Sequence, residues 1–305
     1  MRWTRRIGDA VVTNIVESTG PTHDPAVLFK GMMDPQEVAA ALNRHSGWLA
    51  PHHYIPEVNR IVVTFHLWVL QLDDRVMVID TAVGNAKPRP NPRMNMLNTL
   101  VMNWLEAIGA GPEQVTHVIN THLHMDHVGW NTRGVDGQNV PTFPNARYLM
   151  PKADFDYFKD RLDHGDRQPS VISLLDSVLP VVEAGQVEFV EQPFEIMPGL
   201  EVEFSPGHTP GMLNLYLTSK GERGVFCADN FHTPLQIAVP ELNSVNDIIG
   251  DQARASRHAF LERIADSGIL IMPMHFGAPH CGYIRRGGPD GTYVFVPEDR
   301  PQFAA

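Results

Sequence analysis

Apolar and polar positions along this chain fall into two rhythms, one of strands and one of helices. Ile7 to Val16 and Ile61 to Leu72 have the β-branched, closely spaced apolar residues of strands, and the second runs through the charged turn "DDR" into "VMVIDTAVG". That order predicts a hairpin whose second strand ends at Asp80 and is closed by Gly84. "MLNLYLTSKGERGVFCADN" repeats the arrangement: strand, polar glycine-containing turn, strand and an aspartate, here Asp229. The repeat suggests two related halves.

Helical spacing appears at Met94, Leu97, Leu100, Val101, Trp104, Leu105 and Ile108, with Gly109 and Gly111 as terminators. Further helices are predicted over Lys152 to Leu162, Ser170 to Ala184 and Asp251 to Ser267. Strands are predicted through "QVEFVEQPFEIMPGLEVEFSPG" and in "GILIMPMHF". Hairpins mixed with strand-helix-strand units fit an α/β sandwich whose sheets are covered by helices. No linker divides the chain, so 1–305 reads as one domain. Residues 18–60 break the rhythm with sequence rich in Pro and His, an irregular lid or dimer arm. Within it "DPQEVAAALNRH" predicts a short helix capped by Asp34, with Pro35 in its first turn.

Composition narrows the function. The 305 residues suffice for a full core without disulfides. A net charge of −11 disfavours binding to phosphate backbones, so no nucleic-acid partner is expected. No segment reaches the roughly 18 apolar residues of a membrane span, and the arginines of "MRWTRRIGDAVVTNIVES" precede no continuous apolar stretch. The expectation is a soluble cytoplasmic protein with a small-molecule substrate. Cys227 and Cys281 stand far apart and read as inert thiols, so a metal would rest on nitrogen and oxygen ligands.

Such ligands crowd into "NTHLHMDHVGW", residues 120 to 130, directly after the apolar strand of "PEQVTHVINT". His122 and His124 project to one side, two residues apart, while Asp126 and His127 lie on the turn beyond. Several crowded imidazoles without a metal would leave polar nitrogens to satisfy, so the spacing points to metal binding.

With "SPGHTPG" at 205 to 211, "CADN" at 227 to 230 and "MPMHFG" at 272 to 277, the cluster "THLHMDH" resembles the metallo-β-lactamase superfamily, with the motifs in the family's order over residues 61 to 277. The resemblance implies the αββα sandwich fold. It implies His122, His124 and His208 as ligands of one metal, Asp126, His127 and His275 as ligands of a second, and Asp229 as the carboxylate bridging them. It also implies Asp80 as a residue that orients a ligand. Zinc is the first expectation, with manganese, iron or cobalt as alternatives. A bridging carboxylate suits two divalent ions about 3.5–4 Å apart. A hydroxide held between such ions implies hydrolysis.

The tail after Phe276 reads as loop and hairpin, unlike the basic helical extension of the similar hydroxyacylglutathione hydrolases, which are thioesterases. The chain also closely resembles acyl-homoserine lactonases and phosphotriesterases of the methyl parathion hydrolase type. The lactonases carry a tyrosine three positions after the bridging aspartate; here His232 stands there, as in the phosphotriesterase type. Asp126 and His232 are therefore expected in the chemical step, with His232 as hydrogen-bond donor or general acid. Trp130 is a candidate pocket wall, and Met32, Met33, His52 and His53 candidates to close over the site. The expectation is a binuclear hydrolase of lactones or other neutral ester-like bonds, possible as a homodimer. An iron-dependent sulfur dioxygenase is the rival from another class.

Overall fold

Val78 and Ile79 pair in parallel with Val118 and Ile119, all four fully buried, and this apolar strand pair sets the frame for the first histidine cluster. The computed structural model describes residues 2–288 and 292–298. They form two compact units, one of residues up to Glu17 with Phe65–Pro193, the other of Ser18–Thr64 with the chain from Phe194 onward.

In the first unit, β1 (Arg2–Ile7) and β2 (Ala10–His23) form a hairpin. The single strand expected over Ile7 to Val16 is thus two strands. Gly8 takes a left-handed φ of 57° and Gly8-Asp9 make the turn. The two-residue β3 (Tyr54–Ile55) pairs with the start of β4 (Arg60–Leu72) inside the second unit. β4 makes the expected hairpin with β5 (Arg75–Ile79), which β6 (His117–Ile119) extends in parallel. A small ribbon, β7 (Thr132–Val135) and β8 (Gln138–Pro141), stands apart. β9 (Arg147–Pro151) and β10 (Val187–Val190) complete the order β1-β2-β4-β5-β6-β9-β10.

The second unit's sheet runs in sequence order. β11 (Phe194–Met197), β12 (Leu200–Phe204), β13 (Leu213–Ser219) and β14 (Glu222–Phe226) are antiparallel. β15 (Leu270–Met272) joins β14 in parallel, and β16 (Gly282–Arg286) with β17 (Tyr293–Pro297) make the expected C-terminal hairpin. The two halves seen in the sequence therefore share a local plan: an antiparallel hairpin, an aspartate just past its end, then a parallel neighbour.

The helices follow their apolar spacing with instructive exceptions. α1 (Pro25–Leu28) and α2 (Pro35–Leu49) lie in the segment expected to be irregular. Asp34 caps α2 as predicted, its carboxylate accepting from Gln36 N at 2.7 Å. α3 covers only Val101–Ala107, not the whole run from Met94. Upstream, Asn91 and Asn95 accept backbone N–H groups of Arg93 and Arg89, and Met96 adopts φ 51°, so local turns win over helix. α4 (Lys152–Asp163) matches its prediction. The stretch from Ser170 splits into α5 (Pro169–Ser177) and α6 (Leu179–Glu183) at Val178, just before Pro180. α7 (Leu235–Ala238) and α8 (Gly250–Ile264) complete the set. Among the described residues no helix is long and apolar enough to cross a membrane. Cys227 and Cys281 are both buried.

His53 does not serve as a cover. It is buried, edge-on to Phe276 and Phe295 with ring centroids 5.9 and 5.7 Å away, because its imidazole fills an aromatic gap in the second unit's core.

Candidate metal centre

Parallel strands deliver loops from their carboxyl ends, and ligand-binding residues of open α/β sheets gather there. In the first unit Asp80 follows β5 and the histidine cluster follows β6. Asp80 is fully buried, and its two oxygens accept from Thr121 N and Oγ1, both at 2.7 Å. Asp80 Oδ2 also lies 2.8 Å from His127 Nδ1. Burial raises the Asp80 pKa, while His127 and Thr121 pull it down.

The same loop is fixed through its backbone. His127 N donates to His124 O at 3.0 Å, closing the turn. Thr81 N and Asn120 Nδ2 both donate to His127 O, at 2.8 and 3.0 Å. Leu123 N donates to the buried Asp154 at the start of α4. Gly129 passes so close to β5's exit that a Cβ there would lie 1.9 Å from Val83 O, which excludes any side chain. These bonds bring the rings of His122 and His124 to 4.8 Å, and those of His122 and His127 to 3.9 Å, between centroids. Asp126 Oδ2 stands 3.8 Å from His127 Nε2. Asp80, His122 and His127 each offer a ligand atom within 4.8 Å of the others.

Trp130 is 5% exposed and its indole N–H donates to Glu17 Oε1 at 2.7 Å. The same carboxylate accepts from Val83 N and Gly84 N. Trp130 thereby anchors the loop after Asp80 through the shared Glu17 carboxylate.

The second unit repeats the logic. Asp229 follows β14 and His275 follows β15, its parallel neighbour. Three imidazoles converge on one oxygen: His275 Nε2, His208 Nε2 and His232 Nε2 lie 2.9, 3.3 and 3.4 Å from Asp229 Oδ2. The rings of His232 and His275 stack at 5.4 Å with an interplanar angle of 7°. Asp229 and all three histidines are at most 4% exposed. His275 Nδ1 lies 3.1 Å from Thr64 O, which turns its Nε2 toward the carboxylate. His208 sits in the turn predicted around it. Gly207 has φ 134°, and a Cβ there would meet Ala253 N of α8 at 2.1 Å.

The electrostatics call for positive charge. Burial works against a charged His208, yet Asp229 and Asp247 outweigh it and hold the imidazole up to about 9. His232, desolvated and facing the other imidazoles with too little compensation from Asp229, is pushed down to about 3. Its Nδ1 is buried with no hydrogen-bond partner. A carboxylate ringed by imidazole nitrogens in a buried site is a donor set for a divalent cation, and N/O donors of this kind suit zinc. In each unit the structure assembles the residues singled out in the sequence. Asp154, Asp247 and Arg257 were missed, because a lone Asp or Arg in a loop or helix carries no spacing signal.

Residues 66–275 match the model of the metallo-beta-lactamase superfamily, and the chain belongs to that superfamily. Its fold class is the metallo-β-lactamase fold, as expected from the sequence. An N-acyl homoserine lactonase from a Bacillus species is 27% identical over 120 residues, 39% of this chain and 40% of the relative. The chain spans about 40% of the length of the lactonases it matches in this way. Among solved structures, the hydrolase AbOPH of the beta-lactamase superfamily is similar at a TM-score of 0.79 and 22% identity, covering 98% of both chains. AidC, a dizinc quorum-quenching lactonase solved with a product, gives a TM-score of 0.79 at 20% identity over 98% of both chains.

Proposed function

We propose that this chain acts as one metallo-β-lactamase-like domain, a binuclear metal-dependent hydrolase that opens lactones or other neutral ester-like bonds. The observation that carries the reading is the convergence of His208, His232 and His275 on the single oxygen Asp229 Oδ2. The proposed ligands are His122, His124, Asp126 and His127 from the first unit, and His208, Asp229 and His275 from the second. Zinc is the proposed metal. The similarity to lactonases supports lactones as the first substrate class. When bound, a pair of divalent ions supplies Lewis acidity and lowers the pKa of water to near neutrality.

The chain's own residues do the rest. Asp80 and Thr64 O hold the Nδ1 atoms of His127 and His275, so that both rings present Nε2. Asp126 stands 3.8 Å from His127 Nε2 and is proposed as a ligand that also takes part in the chemical step. His232 remains distinct, since its Nδ1 is committed to nothing. With the neutral ring's single proton on Nδ1, that nitrogen is the proposed donor to the substrate carbonyl or to the oxygen that leaves when the ring opens. Only two cysteines, far apart in the chain and both buried, support a reducing, cytoplasmic setting.

Hydrolysis of acyl-homoserine lactones of several chain lengths, an aryl ester, a phosphotriester and a β-lactam tests the reading. Lactone turnover abolished by a chelator and restored by zinc is expected. Turnover of the β-lactam or phosphotriester alone, or turnover indifferent to chelation, would reject it.

A further inference from the structure

The second unit holds a buried charge cluster that the proposed reaction does not use. Asp247 Oδ1 lies 2.8 Å from His208 Nδ1, and the carboxylate is buried. Its other oxygen accepts from Ser244 N at 2.9 Å and from Arg257 Nη2 at 3.3 Å. Burial would raise the Asp247 pKa, but the hydrogen bond from His208 and the nearby cations hold it below its ordinary value.

Arg257, 1% exposed, is placed on α8 with every nitrogen engaged. Nε donates to Asn230 O at 2.9 Å, and Nη1 to Pro240 O and Asn243 Oδ1 at 2.8 and 3.0 Å. One guanidinium therefore ties the segment that carries Asp229 to the loop that carries Asp247. The loop is bound to the histidine's backbone as well, through Ile248 N to His208 O at 3.0 Å and Ile249 N to Gly207 O at 2.8 Å. Its far side is fastened to α1 by Val245 N to Leu28 O at 2.9 Å.

We propose that Asp247, clamped by Arg257, is a positioning residue that holds His208 Nδ1–H so that Nε2 is presented as a metal ligand. The inference rests on the reading of His208 as a ligand. A buried ion pair this elaborate is a poor device for stability alone, since two desolvated charges roughly offset their own attraction. A carboxylate behind an imidazole fixes its tautomer and orientation and strengthens it as a donor. Asp80 has the same relation to His127, so each unit holds one histidine by a buried carboxylate.

The test compares wild type, Asp247→Ala, Asp247→Asn and His208→Ala for zinc affinity, by competition with a chromophoric chelator, and for the visible absorption spectrum of the cobalt-loaded protein. We expect Asp247→Ala to weaken one of the two ions about 10–100-fold and to change the cobalt spectrum. Asp247→Asn, which keeps an oxygen toward Nδ1, should lose less. Wild-type affinity and spectrum in both Asp247 variants, with His208→Ala losing an ion, would overturn the positioning role and leave His208 a ligand. Full metal content in His208→Ala would instead remove the ligand reading on which the inference stands. Should Asp247→Ala fail to fold, the isosteric Asp247→Asn decides: a weakened ion and altered spectrum support the role, and wild-type values overturn it.

Discussion

Asp80 Oδ2 lies 2.8 Å from His127 Nδ1, with both side chains buried and Thr121 donating twice to the same carboxylate. One acid thus fixes a ring and the backbone that enters the histidine cluster. Replacing it releases both, so Asp80→Ala is expected to weaken metal binding about 10–100-fold. Competition titration of the variant checks this, and unchanged affinity in a folded variant would contradict it.

The role proposed for His232 separates metal binding from turnover. It touches Asp229 only at 3.4 Å and leaves Nδ1 unengaged. His232→Ala should retain both ions while kcat for lactones falls roughly 10²–10⁴-fold. Elemental analysis alongside steady-state kinetics gives the answer. Unchanged turnover across lactone, ester and phosphotriester would assign the imidazole a packing role only.

Packed against Phe276, the residue after His275, His53 makes an acid-sensitive point in the second unit. Neither ring nitrogen has a hydrogen-bond partner, and burial, with His52 and His280 adding to it, pushes the imidazole down to about 3. In the unfolded chain it titrates near 6.5. Between these values the unfolded state binds the extra proton, so this contribution to stability is intact above about pH 6.5 and is lost as pH falls toward 3. A phenylalanine there would keep the aromatic contacts with Phe276 and Phe295 and bring no polar group to desolvate. His53→Phe is expected to stabilise by about 1–3 kcal/mol, and its advantage in urea unfolding should be larger at pH 5 than at pH 8. An equal or smaller gap at pH 5 would contradict the assignment.

Much of the candidate site was legible because several of the proposed ligands follow short apolar strands. "THLHMDH" after β6, and the aspartates after β5 and β14, could be placed from the strand endings, and their proposed roles came from the resemblance to the metallo-β-lactamase superfamily. What could not be read were partners whose meaning is spatial. Asp154, Asp247 and Arg257 sit in ordinary helix and loop sequence, and only folding brings them to Leu123 N, His208 and Asn230 O. The anchoring of Trp130 could not be read for the same reason, since Glu17, which takes its N–H, lies 113 residues away. The helix expected from Met94 failed because asparagine side chains competed for the backbone at Arg89 and Arg93.

The most direct test of the central claim is elemental analysis of the purified protein coupled to acyl-homoserine lactone turnover on the same sample. About two equivalents of a divalent metal, with turnover that vanishes on chelation and returns with zinc, is the predicted result. One equivalent of iron with oxygen consumption and no hydrolysis would contradict the account.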